Sequence, residues 1–132
     1  MIYIVANAFA ILAATLAGLV LGALWWRVFG DRTVPSAASL PFVIVSFVAE
    51  FWLASILAGA LILAPPQAGL WVMTIATPIV IWIGFVLPAF VVALGRRRTS
   101  IGSIAVETGH WLGVMLLQAI VLQAIGLINP AG

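Results

Sequence analysis

Glu50, Glu107 and His110 are ionisable side chains set inside apolar stretches of the chain. Glu107 and His110 are three residues apart, a spacing that puts both on one face of a helix. Groups of this kind can relay a proton or line a ligand pocket, and within a membrane span they are functional by default. A glutamate with a Glu-x-x-His pair is also half the ligand set of a di-iron carboxylate bundle, which a two-fold dimer would complete. Glu50, Glu107 and His110 are therefore metal or haem candidates as well. The competing reading is structural: a satisfied polar network that fixes helix register. Asn7, Gln118 and Gln123 are expected in the outer half of the membrane as a second, neutral layer. Asn7 and Gln118 count with the ionisable three as candidate ligand-binding or relay residues.

The elements that position these residues must be membrane helices. Of 132 residues, 66% are hydrophobic and only 6% are charged, where a soluble domain has about a quarter charged. Too little polar surface exists to face water, so the bilayer is the partner and solvent. The length fits a single transmembrane domain over residues 1–132. The net charge of +2 is carried by arginines, Arg27, Arg32, Arg96, Arg97 and Arg98. That is a topology signal and an attraction for anionic lipid, chiefly at Arg96, Arg97 and Arg98; it is no nucleic-acid footprint.

Cysteine is absent, which excludes disulfides, thiolate metal sites and thiol catalysis. The sequence contains no phosphate-cradling glycine loop, no His-Glu-x-x-His and no nucleophile elbow. Ser46 and Ser55 read as helix-packing hydroxyls, and Trp52, Trp82 and Trp111 as packing or lipid contacts. The expectation is a non-enzymatic protein whose sequence requires no cofactor.

A span needs roughly 20 apolar residues, and four stretches supply them: about 2–26, 40–64, 70–94 and 101–128. The first follows no basic n-region and is too long for a signal h-region, so it reads as a retained span. Turn chemistry separates the spans at Gly30 to Pro35, at Pro65-Pro66-Gln67 and at Gly95 to Ser100. Ser100 is placed to cap the last helix. Period-two alternation is absent, which leaves helices as the way to pair backbone groups in lipid.

All five arginines fall in loops one and three. The positive-inside rule places those loops in the cytoplasm and both termini outside. Short connections then favour an all-α, up-down four-helix bundle. Ala6, Ala10, Ala14, Gly18 and Gly22 form a four-residue stripe along the first span. Ser55 with Gly59, and Ala105 with Gly109 and Gly113, repeat the spacing; such stripes let helices approach closely within a bundle or across a homo-oligomer. Pro78 and Pro88 predict bends in the third span, with Thr74 or Thr77 answering the freed backbone groups. At 1.5 Å per residue, Glu50 lies roughly 15 Å and His110 about 14 Å from the cytoplasmic ends of their helices. Those depths allow the two to meet. An acid at mid-span costs on the order of 2.5–3.5 kcal/mol on insertion scales, so each should turn inward.

With the spans in place, the chain resembles a bacterial family of small four-span membrane proteins catalogued as domain of unknown function 1761. The likeness rests on Asn7 ahead of an alanine-rich helix closing on Gly22-Ala23-Leu24-Trp25-Trp26. It continues in Trp82-Ile83-Gly84-Phe85-Val86-Leu87-Pro88 and in Gly109-His110-Trp111-Leu112. The resemblance implies a four-span fold in a bacterial inner membrane and supplies no activity. Two positions depart from it. The family has Trp-Tyr and a proline-containing turn where this chain has Trp26 and Arg27, and it tends to have tyrosine at the place of His110. The sequence thus points to a bundle that binds a ligand or partner, or an accessory subunit of a larger membrane complex. The alternative is a proton-linked transporter or channel-like oligomer using Glu50, Glu107 and His110.

Overall fold

The computed structural model describes residues 1–30 and 39–132, which are helical almost throughout. Arg32 and the turn from Asp31 to Pro35 lie outside the described residues. The helices are α1 (Ile2–Ala6), α2 (Ala8–Phe29), α3 (Leu40–Ile62), α4 (Leu70–Ile81), α5 (Leu87–Arg96) and α6 (Ile101–Ile125). A π turn, Trp82–Val86, joins α4 to α5 into one continuous span. Four helices are long and apolar enough to cross a membrane: Ala8–Phe29, Leu40–Ile62, Leu70–Arg96 and Ile101–Ile125. This is the all-α multi-pass architecture that the hydropathy predicts.

Local chemistry sets the ends. The Ser100 hydroxyl accepts from the Ser103 N–H at 3.2 Å, and Ser39 accepts from Phe42 at 3.3 Å, each satisfying a donor that helix geometry leaves unpaired. Within the third span, Leu87 N–H bonds back to the Trp82 carbonyl, five residues away. Pro88 has no N–H for the Gly84 carbonyl, and its ring would crowd that carbonyl in a regular helix. The wide turn ahead of Pro88 relieves the crowding. The Thr74 hydroxyl donates to Leu70 O at 2.8 Å. It therefore serves its own preceding turn and not the Thr74 carbonyl that Pro78 frees, which departs from the expected repair.

Helices α2 and α6 form the central pair; α3 packs on both of them, and α4 packs on α6 and touches α3. Side-chain meetings fix an antiparallel course. Leu21 meets Gly113 and Trp25 meets Gly109 across α2 and α6, while Thr74 meets Gln123 and Trp82 meets Thr108 across the third span and α6. Ile11, Leu57, Met115 and Leu122 are wholly buried between the helices. Lipid tails are as apolar as these side chains, so close packing holds the bundle together more than any transfer from water.

Candidate functional site

Small residues on α2 build one wall of the site. Ala10, Ala14, Gly18 and Gly22 are buried as the stripe predicts, but Ala6 is exposed. The helix breaks at Asn7 (φ −112°, ψ 21°), which turns the residues before it out of register.

At Gly18 the backbone of α2 lies against the ends of Glu50 from α3 and Gln118 from α6. A Cβ placed on Gly18 would collide with Glu50 Oε2 and stand 3.0 Å from Gln118 Nε2 and 3.2 Å from Val114 Cγ1. Glu50 is 4% exposed and Gln118 is fully enclosed. The Gln118 amide donates from Nε2 to the Glu50 backbone carbonyl at 3.3 Å. Among the described residues, Glu50 Oε2 and Gln118 Oε1 have no partner.

One turn further along the stripe, Gly22 faces His110, whose Nε2 would stand 3.1 Å from a Cβ on that glycine. The imidazole is surrounded by aromatic rings. Ring centroids of Trp111, Trp26 and Trp25 lie 5.1, 5.5 and 6.3 Å away. His110 Nδ1 and Trp25 Nε1 are both buried without a partner among the described residues. Glu50 and His110 thus occupy neighbouring turns of one glycine stripe, but the group seated beside the Glu50 carboxyl is Gln118. Glu107 is half-buried, a turn before His110 on α6. Among the described residues, no three His, Cys, Asp or Glu side chains are placed to hold one metal ion. Glu50, Glu107 and His110 therefore do not form a single-ion ligand set within the chain.

The neutral residues do not form one layer. Asn7 clasps the segment after α6: its Nδ2 donates to Ile128 O at 2.8 Å and its Oδ1 accepts from Ile128 N–H at 2.7 Å. Gln118 goes to Glu50, while Gln123 Oε1 pairs with Thr74 Oγ1 at 3.3 Å. Trp82, read from sequence as packing or lipid contact, also donates from Nε1 to Thr108 O at 2.8 Å and ties the π turn to α6. No spacing in the sequence announces that bond, because it joins a side chain to a distant main-chain carbonyl.

Among the described residues, the arginine end of the bundle is open. Helices α3 and α5 both rest on α6, but no Cα of α3 comes within 8 Å of α5. Phe42, Val43, Ile44 and Val45 are all exposed, so the first turns of α3 are bare on every face. No residue of α5 is buried. Arg96 and Arg97 line a hollow of about 400 Å³ with Ala93, and Arg98 closes the helix at φ 55°. Arg27 lies in the last turn of α2.

Comparison with curated proteins and with solved structures gives no match for the chain. A family model does match, across most of the bundle and including Gly18, Glu50, His110 and Gln118. On that match over residues 9–123, the chain belongs to the family described as a protein of unknown function, DUF1761.

Proposed function

We propose that the protein is a non-enzymatic accessory subunit of a bacterial inner membrane, with both termini exported, which binds a transmembrane helix of a partner protein. The observation that carries this reading is the gap at the arginine end. Packed helices ordinarily lie about 8–10 Å apart axis to axis, whereas α3 and α5 flank α6 without touching each other. The exposed Val43, Val45 and Val48 on α3 and Val91 and Val92 on α5 supply apolar surface on the two helices that such a partner helix would pack against. A photo-crosslinking residue at Val45 or Val92 should yield a discrete protein adduct in native membranes, and one at exposed Val20 should not. An adduct of twice the protein's mass would make the occupant a second copy. Adducts with lipid alone at all three positions overturn the proposal.

A second reading, a proton-linked transporter or channel-like oligomer using Glu50, Glu107 and His110, draws on the unpartnered Glu50 oxygen. It requires Glu50→Gln and His110→Ala to fold normally and lose pH-dependent flux in liposomes. An accessory subunit keeps partner binding in the same variants.

A further inference from the structure

We propose that Glu50 and Gln118 form a buried binding site for a monovalent cation, either a proton or a sodium ion, at the junction of α2, α3 and α6. The inference is independent of the partner reading, since the site lies inside the bundle and away from the open arginine end.

The argument is an accounting of donors and acceptors. Gln118 commits Nε2 to the Glu50 backbone carbonyl, which fixes the orientation of its amide. Reversing the amide would set its oxygen against that carbonyl, acceptor against acceptor. Gln118 Oε1 is therefore left needing a donor, and it is buried without one. Glu50 Oε2 is in the same position, and an ionised carboxylate has nothing to donate. Gln118 Nε2 keeps a second N–H at this junction, yet among the described residues neither Glu50 Oε2 nor Gln118 Oε1 receives a hydrogen bond. Buried polar groups are satisfied as a rule, and the exceptions call for a ligand or a proton. A cation supplies what both oxygens lack. A proton on Glu50 would make it a donor; a sodium ion would accept both oxygens as ligands.

Among the described residues, the surroundings leave the charge of Glu50 unanswered. Helix α2 carries no titratable group between Ala8 and Trp26. On α6 the titratable groups are His110, which is seated against Gly22, and the half-buried Glu107. Glu50 is the only titratable residue of α3, and α4 has none. Tyr3 of α1 spends its hydroxyl on Ser55 O at 3.1 Å. Gly18 completes the site from α2, because any side chain there would fill the place of the Glu50 carboxyl.

Infrared spectroscopy of the protein in liposomes reads the site directly. Glu50 and Glu107 are the only glutamates, so ¹³C-glutamate labelling in a Glu107→Gln background leaves Glu50 as the one labelled carboxyl. A neutral-carboxyl C=O band at neutral pH identifies the proton. A carboxylate band that shifts when sodium replaces potassium identifies the sodium ion. A carboxylate band indifferent to both pH and sodium overturns the proposal. Gln118→Leu is expected to move the neutral band toward its unbonded frequency, or to abolish the sodium response. An unchanged band in that variant removes Gln118 from the site and overturns the pairing.

Discussion

Gly18 and the carboxyl group of Glu50 compete for the same volume: a methyl group on the glycine would overlap the acid's outer oxygen. Alanine ordinarily stabilises a helix over glycine by about 1 kcal/mol. Overpacking a filled junction costs about 1–3 kcal/mol, and here Glu50, Gln118 and Val114 all crowd the added atom, so the cost should win. Gly18→Ala is expected to lower the melting temperature in detergent. Gly102→Ala is the control, since a Cβ there meets nothing within 4 Å, and it should be neutral or gain about 0.4–1 kcal/mol. Equal losses in the two variants would show that Gly18 is not a contact point.

Asn7 should be a clasp more than a ligand. Its amide exchanges two hydrogen bonds with the Ile128 main chain and donates a third to Tyr3 O at 2.9 Å. Asn7→Leu keeps the bulk and removes every bond, leaving buried groups unpaired at about 1–3 kcal/mol. Hydrogen exchange at the Ile128 amide is expected to accelerate well beyond that of amides within α6. Unchanged protection there would mean that the segment after α6 is held by other contacts.

Orientation can be checked on a clean background, because the chain contains no cysteine. A single cysteine at Gln67, between α3 and α4, should react with an impermeant maleimide added outside intact cells. One at Thr99, beside the arginine run, should react only after the membrane is opened. The opposite pattern would turn the bundle over and set the arginines against the positive-inside rule.

Much of the scaffold is legible in the sequence, because the bilayer imposes a length and forbids unpaired backbone. The spans begin as expected at Leu40, Leu70 and Ile101, and Ser100 caps α6 as its position suggests. The buried part of the glycine stripe is legible too. The facing of the helices is not. Counting from the helix ends puts Glu50 and His110 at similar levels, but the packed helices are offset along their axes: Glu50 lies with Gln118 at Gly18, and His110 lies one turn along the same stripe at Gly22. Apolar residues surround every helix of this chain, so no polar face betrays which side turns inward. The break at Asn7 and the π turn are equally silent. Each depends on a main-chain detail that residue type hints at only through Asn7, Pro78 and Pro88.

The π turn at Trp82–Val86 is one residue of slack wound into the third span. A regular helix advances about 100° per residue, so that surplus dials the whole of α5 to a different heading from the one α4 would dictate. Trimming a residue from the turn would swing α5, with its exposed Val91 and Val92, to a new heading, while the α4 anchor at Thr74 and Gln123 kept its bearing. The aim of the open face is thus set inside the membrane, by a miscount between two prolines.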